Sequence, residues 1–408
     1  MSKRLYLDHN ATSPLRPVVR DAMVAAMEGA HNPSSVHGEG RAAKRLLEDA
    51  RAVVADILSA PKEGVIFTSG GTEADNLALY GLVKGPAKVR RLFVVATEHD
   101  AMRVPAEALA GEGATVETPP GTASGTLDLD RLADRLATYD AEADGAFAVV
   151  AMLANNETGV IHPVEKLGPL VWPKGGYVVV DAVQGFGKLP LHFGNLGADL
   201  LTIGAHKVGG PVGVGALLTK PGIGLAPLLK GGGQELYRRA GTENVPAIVG
   251  LAKTAEVARP DDYAALGSLR DALEAGLPDG VTVWGKDAQR LPNTSCFSAP
   301  GFSAETQTMV MDLAGFAISA GSACSSGKVR QSGVLKAMGA DDEAASSAIR
   351  VSLGWDTPQD ATERFLAAWA KEYSRIVNIH PAHPREGGNP IPQQQVPAFA
   401  GINGTTGT

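Results

Sequence analysis

The sequence predicts an α/β protein whose strands form a mainly parallel sheet. Short apolar runs typical of buried strands alternate with segments of helical periodicity, and strands in that order pair in parallel. The 49 glycines suit the many tight turns between strands and helices in such a fold. The predicted strands are residues 65–68, 92–96, 147–154, 177–180 and 200–203.

The order of elements predicts two domains. Residues 41–59 and 73–83 have helical periodicity and belong with the strands above. After about residue 250 the pattern changes to that of a smaller α+β domain, with helices predicted at 252–257, 262–275, 305–313 and 357–377 and strands at 281–284, 293–298 and 349–353. We therefore expect an N-terminal segment (1–15) that packs with the small domain, a large domain (16–255), a small domain (256–380) and a disordered tail (381–408) rich in Pro, Gln, Gly and Thr.

Composition excludes several classes of function. The 408 residues are 44% hydrophobic with a net charge of −7, which argues against a general nucleic-acid or membrane surface. Two cysteines cannot form a disulfide framework. The first ten residues contain charges where a signal peptide needs an apolar core, and no apolar run is long enough to span a membrane. These features predict a cytoplasmic protein in a reducing compartment.

Polar side chains follow four of the predicted strands: His99, Asn156, Asp181 and Lys207. Taken alone, each has an ordinary explanation, such as a core histidine, a helix-capping aspartate or a solvated lysine. Parallel sheets, however, bind ligands at the carboxyl ends of their strands. The shared position therefore predicts a site, in which a lysine beside a buried sheet loses hydration and becomes easier to deprotonate, as a Schiff-base lysine must.

A second feature predicts an anion site. Ser69-Gly-Gly-Thr72 lies between a strand and a helix, where free backbone N–H groups and the helix dipole favour negative charge. An ordinary N-cap at Thr72 is the alternative. Together with His99, Asp181 and Lys207, this sequence supplies the groups that pyridoxal phosphate needs: a phosphate site, a ring to stack on, a carboxylate for the pyridine nitrogen and an amine for the aldehyde.

Seven motifs resemble the cysteine desulfurases of the NifS/IscS type, which are fold-type I pyridoxal-phosphate enzymes within the class V aminotransferases. The resemblance runs in order from about residue 5 to residue 355. It implies a large domain with a mainly parallel seven-stranded sheet flanked by helices, a smaller α+β domain and a homodimer. The motifs are 68–76 (TSGGTEADN), 97–99 (TEH), 155–159 (NNETG), 180–184 (VDAVQ), 205–207 (AHK), 239–244 (RAGTEN) and 322–326 (SACSS).

The resemblance assigns four residues to the cofactor ring. Lys207 is expected to hold the cofactor aldehyde as an imine and to move the α-proton of the substrate. Asp181 is expected to pair with the pyridinium nitrogen, and His99 to stack on the ring and shuttle protons. Gln184 is expected to hydrogen-bond the phenolate oxygen.

Other residues are assigned to the phosphate and to the substrate. Gly71, Thr72 and His206 are expected to hold the phosphate, with Thr242 reaching the phosphate of the neighbouring subunit. Asn156 and Arg350 are expected to bind the substrate carboxylate, for which the guanidinium fork is well suited. Asn156 is also expected to contact the cofactor.

The sequence departs from the family pattern at Gly204 and Ala205. Many relatives carry a serine two or three residues before the lysine, and its hydroxyl binds the phosphate. We therefore expect the phosphate site to rely on backbone N–H groups, Thr72, His206 and Thr242.

The two cysteines have different expected roles. Cys324 lies among small residues (320–327), which favours a mobile loop from which a thiol reaches the cofactor and then passes on its cargo. The hypothesis is that its thiolate attacks the sulfur of L-cysteine, leaving a persulfide and alanine, so its pKa should be depressed. Cys296 lies in a strand-like run and is expected to be core.

Three alternatives remain open at this stage: a selenocysteine lyase, which needs no enzyme thiol; a class V transaminase; and a catalytically silent scaffold for iron–sulfur assembly. The sulfur acceptor is also open, with an iron–sulfur scaffold, a tRNA-thiolation enzyme and cofactor sulfuration as possibilities.

Overall fold

A computed structural model of the protein describes residues 4–29, 31–321 and 331–379. The short strand β1 (Leu5–Tyr6) is followed by the strands of a seven-stranded sheet in the order β2-β8-β7-β6-β5-β3-β4. Strand β8 is antiparallel to both neighbours and the other pairs are parallel, which confirms the predicted fold class. The strands are β2 (Val65–Thr68), β3 (Arg91–Val94), β4 (Thr115–Glu117), β5 (Phe147–Met152), β6 (Tyr177–Asp181), β7 (Leu200–Gly204) and β8 (Gly215–Thr219).

Helices flank this sheet on both faces. Successive residues of a strand point to opposite faces, so Leu92 and Phe93 of β3 pack into different apolar clusters. Burial of both faces explains why these strands are continuous apolar runs. The helices are α1 (Pro17–Glu28), α2 (Gly38–Leu58), α3 (Gly71–Lys84), α4 (Asp100–Gly111), α5 (Leu129–Ala137), α6 (Ala141–Asp144), α7 (Leu167–Val171) and α8 (Val245–Val257).

The C-terminal elements form a second, antiparallel sheet. Strands β9 (Thr282–Val283), β10 (Thr294–Ser298), β11 (Phe316–Ala317), β12 (Ser319–Ala320) and β13 (Ala348–Ser352) follow in the chain, and four of them pair in the order β12-β13-β10-β9. Strand β1 pairs in parallel with β11, and Asp8 bridges to Ser352. The N-terminal segment thus contacts elements near the C-terminus, while the domain boundaries given above stay predictions.

The helices of this part are α9 (Pro260–Ala264), α10 (Gly267–Ala275), α11 (Ala304–Leu313), α12 (Gly333–Ala337), α13 (Asp342–Ser347) and α14 (Ala361–Ile379). The prediction of one helix over residues 262–275 was wrong, because two helices, α9 and α10, cover that range. The chain turns at Leu266 to bury that side chain, and Gly267, a poor helix former, follows the turn. The last helix begins at Ala361 rather than residue 357, because residues 358–361 form a turn in which the Ala361 N–H donates to the Pro358 carbonyl (3.1 Å).

The tail at 381–408 lies outside the described residues. Within the described ranges, no helix combines the length and the apolar character needed to cross a bilayer.

Candidate active site

Four parallel strands deliver polar residues to one edge of the large sheet. Strands β3, β5, β6 and β7 are neighbours, so their carboxyl ends meet at this edge. His99 follows β3, Asn156 follows β5, Asp181 ends β6, and Lys207 lies in a 3-10 turn directly after β7. The structure therefore brings together the four residues that the sequence pattern singled out.

Lys207 is held by the N-terminal segment. Its Nζ donates hydrogen bonds to the backbone oxygens of Asn10 (2.7 Å) and Ala11 (3.0 Å). Burial lowers the pKa of Lys207 to about 8, and the nearby positive charge of Arg350 adds to this effect. The amine is therefore free in about a tenth of the molecules at pH 7, far more than for an ordinary lysine, and a nucleophilic lysine needs the free amine.

Asp181 lies in a buried group of three carboxyls. Its Oδ1 accepts a hydrogen bond from the Val183 N–H (2.8 Å). Burial raises the pKa of Asp181, and the hydrogen bond from the Val183 N–H and the positive charge of Lys207 oppose that rise. Burial, together with the charge of Asp181, also raises the pKa values of Asp75 and Glu98. Of the three carboxyls, Asp181 is the one that the charge of Lys207 stabilises as an anion, so it is best placed to carry the negative charge.

His99 is the N-cap of α4. Its Nδ1 accepts a hydrogen bond from the Ala101 N–H (3.1 Å), which leaves Nε2 to carry the proton in the neutral ring. The residue is exposed overall, yet the protein around the ring desolvates it enough to lower its pKa. A neutral ring at the open side of the site suits stacking, and its stacking on the cofactor stays a prediction.

The N-terminus of α3 forms the predicted anion site. The N-cap is Gly70, which has a φ of +154° and offers no side chain to cap the helix. An N-cap at Thr72, the alternative considered above, is therefore wrong, because Thr72 lies inside the first turn and is exposed. The first N–H groups of α3 have no capping side chain, which fits a phosphate.

The α3 N-terminus lies against the chain that follows Asp181. A Cβ built on Gly71 would lie 2.5 Å from Val183 Cγ2, so only glycine allows this approach. His206 Nδ1 lies 3.3 Å from Thr12 Oγ1, and burial lowers the pKa of His206 to about 4, so its ring is neutral at pH 7. Thr242 is exposed.

The donor set at this edge fits pyridoxal phosphate. The uncapped helix suits its phosphate, the buried Asp181 suits its ring nitrogen, and the amine of Lys207 suits its aldehyde.

Gln184 belongs to a buried hydrogen-bond network that sequence reasoning missed. Its Nε2 donates to the backbone oxygen of Asn10 (3.0 Å), and its Oε1 accepts from Lys188 Nζ (2.8 Å). Asn10 and Lys188 were not predicted as site residues, since the signal was only a polar pair after a short strand and a lysine four residues beyond Gln184.

Arg350 lies on β13 and joins the two sheets at the site. Its Nη1 donates to the backbone oxygen of Asn156 (2.9 Å), and its Nη2 pairs with Asp8 Oδ1 (2.6 Å). Among the described residues, its buried Nε has no hydrogen-bond partner. Asp8 was also missed by the sequence analysis. Arg350 and Asn156, the two predicted substrate ligands, are thus in direct contact.

Only one of the two cysteines lies among the described residues. Cys324 lies outside the described residues. Residues 322–330 are the part not described there, and residues before and after them approach Glu157. Ser332 Oγ donates to Glu157 Oε2 (2.5 Å), and a Cβ built on Gly321 would lie 3.6 Å from the same atom. Cys296 is fully buried on β10, which confirms its predicted place in the core.

Comparisons with known proteins agree with this geometry. Residues 5–365 match the family described as aminotransferase class-V. The chain is 40% identical to a cysteine desulfurase of Cereibacter sphaeroides over 89% of this chain and 94% of the relative. It is 38% identical to the putative cysteine desulfurase IscS 1 of Bacillus subtilis over 86% of this chain and 94% of the relative. A solved NifS-like protein superposes with a TM-score of 0.83 at 33% identity, covering 92% of this chain and all of that protein.

The chain belongs to the aminotransferase class-V family. This result confirms the predicted family and fold. It also confirms the predicted cofactor, since the family is pyridoxal-phosphate-dependent, and the chain is therefore an enzyme of this kind.

The position of Gly204 yields the first prediction. A Cβ built there would lie 3.7 Å from the Gly71 nitrogen and 3.5 Å from Val183 Cγ1, which is ordinary contact distance. Gly204→Ser therefore places a hydroxyl beside the anion site without a clash. A hydrogen bond to a charged group stabilises by about 1.5–3 kcal/mol, so cofactor binding should tighten by roughly tenfold or more. The cofactor dissociation constant, measured by absorbance titration, checks this.

Gly204→Ala is the matched control, because it adds the Cβ without the hydroxyl. We expect its dissociation constant to stay near that of the wild type. Equal constants for the serine and alanine variants would contradict the proposed contact.

The lowered pKa of Lys207 yields the second prediction. Only the free amine attacks an aldehyde, so cofactor capture by the apoprotein should speed up as pH rises through about 8. The pKa values of His99 and His206 lie below this window, so their titration does not confuse the reading. Stopped-flow absorbance gives the rate of cofactor capture, measured at about ten pH values between roughly 6.5 and 10.

The comparison compound is N-acetyl-lysine amide, whose amine has an ordinary pKa near 10.4. A protein profile that coincided with that of the free amine would show that burial does not act on Lys207.

Proposed function

We propose that the protein is a cysteine desulfurase that removes sulfur from L-cysteine, releases L-alanine and retains the sulfur as a persulfide on Cys324. The observation that carries this proposal is the lysine of lowered pKa at the same sheet edge as the buried Asp181. Support comes from relatives named cysteine desulfurase in several organisms, at 34–40% identity over most of the chain.

The cofactor, when bound, supplies an electron sink for negative charge at the α-carbon of the substrate. The role of Asp181 is to keep a proton on the ring nitrogen, since a buried carboxylate favours a partner of opposite charge. His99 covers the ring, with its neutral Nε2 available to pass a proton. Gln184 offers its Nε2 as a hydrogen-bond donor.

Lys207 moves the proton. Its Nζ takes the proton from the α-carbon and returns a proton later in the reaction. The free amine needed for this step is present near neutral pH because burial lowers the pKa to about 8. The carbonyl groups of Asn10 and Ala11 hold Nζ in place between these transfers.

The substrate carboxylate binds to Arg350 and Asn156. The pair with Asp8 and the bond to the Asn156 backbone oxygen fix the guanidinium, so little rotamer entropy is lost when a carboxylate arrives. The buried Nε of Arg350 and the side-chain amide of Asn156 are the donors assigned to that carboxylate.

Cys324 accepts the sulfur. Its thiolate attacks the sulfur atom of the substrate, so a new S–S bond forms while the bond between the substrate's Cβ and sulfur breaks. The electron pair of the broken bond stays with the carbon fragment, which takes up protons and leaves as alanine. The hydrogen bond of Ser332 to Glu157, which is next to Asn156 in the chain, supports this role of Cys324.

The proposal extends to partners and location. The enzyme acts as a homodimer in which Thr242 completes the phosphate site of the neighbouring subunit. The exposure of Thr242 supports this arrangement. A sulfur-acceptor protein, either a scaffold or a tRNA-thiolation enzyme, takes the persulfide sulfur, and the enzyme works in the cytoplasm.

Replacement of Cys324 tests the proposal. Cys324→Ala should keep the cofactor absorbance and lose persulfide formation with L-cysteine, because the sulfur has no acceptor. Mass spectrometry of the alkylated protein detects the persulfide, and an amino-acid assay follows alanine release.

Cys296→Ala is the control, because it removes the other thiol, which is buried and whose pKa is raised by burial. This variant should still form the persulfide. The proposal is overturned if Cys324→Ala releases alanine at the wild-type rate, or if the persulfide is found on Cys296.

A further inference from the structure

A fully buried lysine lies next to the site and has no part in the chemistry above. Lys188 is 2% exposed. Its Nζ donates hydrogen bonds to Asn10 Oδ1 (2.8 Å) and Gln184 Oε1 (2.8 Å) and lies 6.0 Å from the centre of the Tyr263 ring. Burying an amine is costly unless its hydrogen bonds are satisfied, so a lysine in this position calls for an explanation.

A side-chain amide has one donor end and one acceptor end of nearly equal shape, and its partners decide which end points where. We propose that Lys188 is a positioning residue that fixes the orientation of the amides of Gln184 and Asn10. Its amine donates to both oxygens, so both NH2 groups turn the other way. This proposal rests on the proposed function, because it concerns how the cofactor site is held.

The bonds on the far side of each amide match this orientation. The Gln184 Nε2 donates to the backbone oxygen of Asn10, the same atom that accepts from Lys207 Nζ. The Asn10 Nδ2 donates to Thr294 Oγ1 (2.8 Å). Turning either amide by 180° would place an amide NH2 against the amine of Lys188 and an oxygen against another oxygen.

Asn10 makes the link from Lys188 to the reactive amine. Lys188 holds its side chain, and its backbone oxygen holds Lys207. Asn293 Nδ2 also donates to Asn10 Oδ1 (3.2 Å). Asn10 therefore contacts groups of both sheets, and Lys188 is the donor that locks it from within the core.

The charge state of Lys188 does not alter this role. Burial, with the positive charges of Lys207 and Arg350, lowers the pKa of Lys188 well below its ordinary value. A neutral amine still has two hydrogens, one for each oxygen, so the two bonds persist in either protonation state.

The test is Lys188→Met in the holoenzyme, because methionine has similar length and no donor. We expect cofactor binding to weaken by roughly tenfold, and the pH midpoint of the cofactor's visible absorbance to shift by about 0.5 or more. Absorbance titrations measure both. In a Gln184→Leu background the same change should weaken cofactor binding at least about threefold less, because the two residues act as one unit.

Arg290→Met is the control for loss of a buried cation. Arg290 pairs with Glu274 on α10, and among the described residues its side-chain hydrogen bonds do not reach Lys188, Asn10 or Gln184. This variant should lower the melting temperature and leave cofactor affinity and the pH midpoint unchanged. If Lys188→Met does likewise, Lys188 is structural only and the inference is overturned.

A second variant serves if Lys188→Met does not fold. Lys188→Gln has too short a side chain to reach both oxygens, so cofactor binding should weaken by at least about threefold. Unchanged binding would overturn the inference. A wild-type protein without cofactor absorbance would overturn the proposed function instead, so the two failures are distinguishable.

Discussion

Burial of ionisable groups at the carboxyl edge of the seven-stranded sheet governs the chemistry of this protein. The strands are covered on both faces, so polar groups at their ends lie beside a low-dielectric core. This environment lowers the pKa of Lys207 and raises that of Asp181, while each charge favours the other. A site of this kind needs rigid partners for its charges, because an unpaired buried charge is strongly destabilising.

The N-terminal segment supplies many of those partners. Asp8 pairs with Arg350 from the second sheet, and the backbone oxygens of Asn10 and Ala11 receive the amine of Lys207. The same segment therefore contacts Lys207 of one sheet and Arg350 of the other, the residues proposed to be the reactive lysine and the carboxylate-binding arginine. In the proposed mechanism, these few residues, which are far apart in the chain, connect substrate binding with the reactivity of the lysine.

Sequence reasoning recovered the fold and the residues that follow local patterns. Asp181 and Lys207 come after apolar strand runs, and the parallel order of those strands fixed the edge on which they lie. The roles of Asn10 and Lys188 were not predicted, because they depend on contacts between distant segments and because lysine is seldom fully buried. The N-cap at Gly70 was also missed, since a glycine that leaves a helix uncapped resembles an ordinary turn residue.

The central claim is that the cofactor is attached to Lys207 rather than to the other buried lysine, Lys188. Borohydride reduction of the holoenzyme, followed by proteolysis and mass spectrometry, makes that bond permanent and locates it. The account predicts a pyridoxyl group on the peptide that contains Lys207. A label on Lys188, or a reduced protein without any label, would contradict it.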